Sequence, residues 1–384
     1  MLTRILLFFC FLIASVPVFA FESFEHSEIG REAFKSALAK LDNKRNLSKK
    51  LLSSKHLANE DEAIGAVANG QKFAKFTFGD LVAIYGDYAV SVDEVNSEPF
   101  AMRVEALKKG VRGLGFSDLE HDNAMHLVVN NPTHFSLRAA QTYVQWHRKA
   151  LLLARLEGRL WEALHYEALA LHSFTDLFAF GHMHEDRQLS DGLIAWGKNN
   201  SHRASMTKGV SIVASKFMGG YVHFYHNAYN WKGAMLKNLA GDSWRGFGDK
   251  KYRVVDTGCA ETTDAGKANC LDAATQRQRQ VIVHAVSLSI LDVLRSATGS
   301  KIQLGTEFRA MCHLPVKFWG SNKPIPPEKQ QAAIVKLRNA MQKQGRPIEK
   351  HGIDFSLGNF KFEAKEYRGN VKYFDYVKTN CGKL

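Results

Sequence analysis

The sequence predicts a mainly α fold with a smaller mixed C-terminal extension, and three observations carry that prediction. From about Ser136 to Phe180, apolar residues recur at three-to-four spacing (Leu137, Ala140, Tyr143, Val144, Leu151, Ala154, Trp161, Leu164, Ala168, Leu171), as on helices with one buried face. The same period returns from Ser27 to Leu41, Phe78 to Tyr85, Arg277 to Leu294 and Pro327 to Gln344. After about Ser300 the character changes: Pro324, Pro326 and Pro327 cluster, and residues 353–377 alternate aromatic with polar side chains, as short strands do.

Each element follows from local chemistry. Gly158, a poor helix former, divides the long periodic stretch into two helices. Between His184 and Asp249 the chain turns rich in Gly, Asn and Ser, which predicts loops ordered by something other than their own packing, such as a metal. Gly299 is the expected boundary between a body over residues 21–298 and an extension over 299–384, to which the sequence assigns no role. No internal repeat or low-complexity tract appears in the sequence.

The 384 residues are 45% hydrophobic and 23% charged, which excludes a disordered chain and supplies a sizeable core. Residues 1–20 read as a secretory signal, with Arg4 before the apolar run from Ile5 to Ala14 and small residues in Val18-Phe19-Ala20. Cleavage after Ala20 would make Phe21 the new N-terminal residue. A retained anchor fits less well, since spanning takes about 20 apolar residues and Pro17 interrupts the run. No later segment reads as apolar enough to span a bilayer, so the expected location is periplasmic or extracellular. Cys10 leaves with the signal, and Cys259, Cys270, Cys312 and Cys381 remain for two disulfides in any of three connectivities. Cys259 with Cys270 would close a short loop. The net charge of +13 favours phosphate-bearing surfaces without separating anionic lipid from nucleic acid, and scattered Lys and Arg also serve solubility.

The strongest local signal is LHSFTDLFAFGH. His172 and Asp176 lie four apart and share a helix face, and His182 follows just beyond Gly181, which can end or bend the helix. Imidazole and carboxylate are the zinc ligands expected outside thiolate sites. One such pair is equally compatible with capped or core polar residues; the further candidates favour a metal. These are His26, Asp87 in IYGDYA, His134 in NNPTHF, and His223 with Asn227 in VHFYHN. Asp80 competes with Asp87 but reads as a helix-start residue. His121, His126, His147, His165, His202 and His284 read as surface or core histidines, and Trp146 and Trp161 as packing for the helix pair.

In this order and spacing the candidates resemble the ligand set of the trinuclear zinc phospholipase C family, which is related to the fungal single-strand nucleases. The opening FESFEH is similar to the nucleases' Trp-x4-His, with Phe21 in place of Trp. The resemblance spans Phe21 to Asp249, and the loop HFYHNAYNWKGAMLKNLAGDSWRGFGD is most similar to secreted phospholipases C of Gram-negative bacteria, which also carry an extra C-terminal region.

The resemblance implies a helical zinc phospholipase C/nuclease-like domain with up to three zinc ions. One would take Asp87, His134 and His172, with Asp176 bridging to a second held by His26 and the amino nitrogen and carbonyl oxygen of Phe21. A third would take His182, His223 and Asn227. Asp176 and Asp87 would be catalytic, the first by holding two ions together and the second by accepting a proton from water. Phe21 for Trp changes little, because the ligands there are backbone atoms; Asn227 stands where Glu or Asp is usual and weakens the third site. The implied substrate is a phosphatidylcholine-type lipid at a membrane surface, cleaved to diacylglycerol and a phosphorylated head group, with no nucleic acid expected. The competing readings are a zinc nuclease or nucleotidase and a non-enzymatic, metal-stabilised binding protein.

Overall fold

The computed structural model describes residues 23–41, 64–68, 71–95, 132–184, 234–248, 273–299, 308–319 and 372–382. Helices dominate them. In chain order they are α1 (Ser23–Ala39), a hairpin of β1 (Ile64–Ala68) and β2 (Gln71–Phe76), α2 (Phe78–Asp87), α3 (Val92–Val95), a 3-10 turn (Pro132–His134), α4 (Ser136–Ala154), α5 (Leu160–Asp176) and α6 (Phe180–His184). A second hairpin, β3 (Ala234–Lys237) and β4 (Ser243–Gly246), precedes α7 (Ala273–Ala297), a 3-10 turn (Arg309–His313), β5 (Lys317–Trp319) and α8 over 372–380.

α5 is the axis of the bundle. Every residue from Ala163 to Asp176 is buried, so this helix is covered on all sides, chiefly by α4, α2 and α7. Its neighbours are amphipathic in the ordinary way: α1 buries Ile29, Ala33, Phe34 and Ala37, and α4 buries Ala140, Tyr143, Val144, Ala150 and Leu151. Trp146 stacks on Tyr166 and helps join α4 to α5, as expected. The break between those helices comes at Gly158, which takes a φ of +72°.

α1 and α2 cross in close contact. A Cβ on Gly79 would lie 1.9 Å from the Ser27 carbonyl oxygen, and one on Gly30 would lie 2.9 Å from Gly79 Cα, so only glycines allow this approach. Asp80 serves the same junction. Its carboxylate accepts from the Thr77 N–H (3.1 Å), the Thr77 hydroxyl accepts from the Asp80 N–H (3.0 Å), and Ser27 Oγ donates to Asp80 Oδ1 (2.9 Å).

Two expectations change. The 22-residue stretch Gln276–Ala297 of α7 is long and apolar enough to cross a membrane, yet 72% of its most apolar 18-residue window is buried within the protein, as in a core helix. In the tail, where alternating residues suggested strands, 372–380 is helical and buries Tyr373 and Val377. The expected helix from Pro327 to Gln344 and the remainder of that tail lie outside the described residues.

β3 is the middle strand of an antiparallel sheet, with β4 on one side and β5 on the other; Leu236 pairs with Trp244 and with Phe318. β5 lies after Gly299, so part of the expected extension is built into this sheet. Gln278 of α7 ties the hairpin to the body: its Nε2 donates to the Phe178 and Phe247 carbonyls, and its Oε1 accepts from the Phe247 N–H. Cys312 and Cys381 form a disulfide across 69 residues that fastens α8 to the second 3-10 turn. A closed loop of that length contributes about 4 kcal/mol in the chain-entropy view. Cys259 and Cys270 lie outside the described residues.

Candidate metal centre

Four histidines converge on Asp176, the last residue of α5. Asp176 Oδ1 lies 3.4 Å from His26 Nε2, while Oδ2 lies 2.9 Å from His134 Nδ1, 3.6 Å from His182 Nδ1 and 3.7 Å from His172 Nε2. The four rings come from α1, the turn before α4, α6 and α5 itself, so the centre exists only once the bundle has assembled. The glycine crossing of α1 and α2 sets the approach of His26. The α-helical period places His172 on the face of Asp176.

The rings are held in defined orientations by their other nitrogens. His172 Nδ1 donates to the Val82 carbonyl (2.8 Å) and His182 Nδ1 to the His134 carbonyl (2.9 Å). Because a carbonyl only accepts, the proton sits on Nδ1 in both rings and Nε2 is the unprotonated nitrogen; in His172 it lies 3.3 Å from His134 Nδ1. His26 Nδ1 lies 2.9 Å from Thr175 Oγ1, whose own hydrogen is directed at the Leu171 and His172 carbonyls, each at 2.9 Å. His26 Nδ1 is therefore a donor as well, and its Nε2 lone pair faces Asp176.

An acceptor facing an acceptor in a dry interior is unfavourable unless a cation lies between them. Both Asp176 oxygens are buried, and among the described residues neither meets a donor in full hydrogen-bond geometry, His134 Nδ1 at 2.9 Å being the nearest imidazole nitrogen. His26, His172 and Asp176 each offer a donor atom, all within 4.8 Å of one another. Tetrahedral coordination at zinc-like bond lengths needs donor separations of about 3.3–3.6 Å, and the gap of 3.4 Å between His26 Nε2 and Asp176 Oδ1 meets it. This group is suited to hold a metal ion.

Charge states agree with that. Burial works against ionisation of Asp176, but the imidazoles of His182 and His134 outweigh it and hold the carboxyl well below its usual range. Burial, reinforced by His26 and His134, pushes His172 well below the usual imidazole value. An anionic carboxylate and a neutral imidazole are the forms that ligate metal.

Gly86 closes one side. Its φ is +92°, and a Cβ there would lie 2.3 Å from His172 Cδ2, 2.4 Å from His172 Nε2 and 2.8 Å from His134 Cε1. The regular part of α2 ends where the sequence placed it, because Tyr85 and Gly86 leave helical geometry and carry the chain past these rings. Ser136, where the chain leaves the His134 turn for α4, holds a φ of +45° that non-glycine residues rarely adopt.

The sequence-predicted residues divide accordingly. His26, His134, His172, Asp176 and His182 come together. His182 was expected at a separate ion with His223 and Asn227, and it stands beside Asp176; His223, Asn227 and Phe21 lie outside the described residues, as does the side chain of Asp87. The backbone of Asp87 follows directly on Gly86. Of the histidines read as core or surface residues, His165 is fully buried with Nδ1 2.7 Å from Tyr85 Oη, and His147 is buried against Glu167. Sequence reasoning missed Thr175, the Val82 carbonyl and Gly86. Only Thr175 left a signal, as a hydroxyl beside Asp176 on the ligand helix. No protein-family model, curated protein or solved structure matches the chain.

Proposed function

We propose that this protein is a secreted zinc-dependent phosphodiester hydrolase of the phospholipase C type, acting on phosphatidylcholine-like lipids at a membrane surface. The observation that carries the reading is the buried cluster of His26, His172 and Asp176, whose ligand atoms all lie within 4.8 Å of one another. Zinc is the proposed ion because the donors are imidazoles and a carboxylate with no thiolate among them. Bound zinc would supply charge neutralisation for the phosphate oxygens, a water acidic enough to ionise near neutral pH, and stabilisation of the leaving oxygen.

The chain's own residues have distinct tasks in this reading. His26 and His172, which the resemblance divided between two ions, hold one ion together with Asp176 in a dry interior, where electrostatic interactions are strong. His134 and His182 approach the second Asp176 oxygen, and the sequence resemblance gives that carboxylate a bridging role. Asp87, one residue beyond the glycine that touches His172 and His134, is the proposed acceptor of the proton from the attacking water. Phe21, His223 and Asn227 complete the proposed set on the strength of the sequence resemblance. The disulfide between Cys312 and Cys381 is compatible with an oxidising compartment. The net charge of +13 favours approach to an anionic surface.

The test is to incubate the zinc-loaded, processed protein with phosphatidylcholine vesicles and, separately, with single-stranded DNA. Release of phosphocholine from the vesicles alone is the expected result. Release of nucleotides would transfer the protein to the nuclease reading, and no release from either would leave a metal-stabilised binding protein.

A further inference from the structure

We infer that Thr175 is the positioning residue that makes His26 a metal ligand, by dictating which ring nitrogen carries the proton. The inference rests on the metal reading of the site.

A buried threonine in a helix commonly bonds back to the carbonyl one turn earlier, and Thr175 does so with Leu171 and His172. That use alone would satisfy the hydroxyl hydrogen and end there. The oxygen, however, also meets His26 Nδ1 at 2.9 Å across a sequence separation of 149 residues. With its hydrogen directed into its own helix, this oxygen acts only as an acceptor toward His26. The relay runs from His26 Nδ1–H to the Thr175 oxygen, and from the Thr175 hydrogen to the helix carbonyls.

The consequence lies on the opposite edge of the ring. With the proton on Nδ1, Nε2 offers its lone pair at 3.4 Å from Asp176 Oδ1, and the gap suits a cation. With the proton on Nε2, the same gap becomes a direct N–H···O contact, in which His26 and Asp176 satisfy each other and exclude the ion. Thr175 selects the first state. Its neighbours on the helix do not substitute, since Ser173 and Phe174 leave α5 in other directions at 100° per residue.

The experiment uses the full processed chain as wild type, Thr175→Val and Thr175→Ser. Three quantities are read: zinc affinity by chelator competition, melting temperature of the metal-free protein, and the protonated nitrogen of His26 by 15N-imidazole NMR. Thr175→Val is expected to bind zinc about 10–100-fold more weakly, the range typical for losing an outer partner of a ligand. Its His26 proton moves to Nε2, and its metal-free melting temperature does not fall. Thr175→Ser retains wild-type affinity and the Nδ1 proton.

Wild-type zinc affinity in Thr175→Val overturns the inference, as does a lower melting temperature with affinity unchanged, which marks a purely structural residue. Should the valine variant not fold, the metal-free wild type decides: a His26 proton found on Nε2 overturns the inference, and one on Nδ1 together with the serine result upholds it. Absence of zinc binding by the wild type overturns the metal reading itself, and this outcome is distinct from any difference among the variants.

Discussion

Helix α5 carries two buried carboxylates nine residues apart, Glu167 and Asp176, in opposite circumstances. Glu167 Oε2 accepts from His147 Nδ1 (2.7 Å), and its Oε1 accepts from Ser289 Oγ, which in turn lies 2.8 Å from Tyr143 Oη. The Tyr143 phenol stays protonated because burial raises its pKa well above the usual value, so it can supply the hydrogen to Ser289. Each Glu167 oxygen has its donor. Asp176 is as deeply buried and meets more imidazoles, yet among the described residues neither of its oxygens meets a donor in full hydrogen-bond geometry. The difference teaches that a count of buried histidines and carboxylates does not define a site. What separates a structural network from a ligand set is whether donors and acceptors balance.

The comparison breaks most sharply at its two carboxylates. Asp176→Asn keeps the shape and removes the charge, and His172→Ala removes an adjoining donor. Each is expected to weaken zinc binding by about 100-fold or more, because even loss of an outer partner weakens it 10–100-fold; turnover is lost with it. Chelator competition on folded protein checks this, and wild-type affinity in both variants would contradict it. Glu167→Ala should do the reverse, destabilising the fold by about 3–5 kcal/mol through a broken buried pair while zinc affinity stays put. Urea unfolding alongside the same competition assay reads both.

His165 gives a sharper test of what an unmetallated core histidine does. Burial lowers its pKa from 6.5 to about 4. Between those values the unfolded chain binds a proton that the folded protein refuses, so stability falls as pH drops from 6.5 toward 4 and recovers as it rises. The full difference corresponds to about 3 kcal/mol. In His165→Phe that portion of the acid sensitivity should be missing when urea midpoints are compared across the window. Gly86→Ala is expected to have the smallest effect on stability, about 1–3 kcal/mol from the disfavoured φ, accompanied by weaker zinc binding because the new methyl meets His172 and His134. Loss of stability with zinc affinity intact would place Gly86 outside the centre.

Much of the bundle was legible because α4, α5 and α7 repeat apolar residues at helical period over long stretches. The same period made His172 and Asp176 readable as one face, and the signal-peptide reading drew notice to His26. β3, β4 and β5 escaped because strands of three or four residues carry no periodicity of their own; their pairing depends on Gln278, Trp244 and a segment more than 70 residues further along. The orienting groups escaped for another reason. The Val82 and His134 carbonyls belong to the backbone, which every residue shares, and Gly86 matters through space it leaves empty. Glu167 sat among apolar residues without a sequence neighbour to announce His147 or Ser289.

The central claim is that His26, His172 and Asp176 hold zinc. X-ray absorption at the zinc edge of the purified, processed protein tests it most directly. The account predicts tightly held zinc with only nitrogen and oxygen neighbours at about 2.0–2.2 Å, and loss of that signal in His172→Ala. Protein that retains no zinc after exhaustive dialysis, or zinc ligated by sulfur, would contradict it.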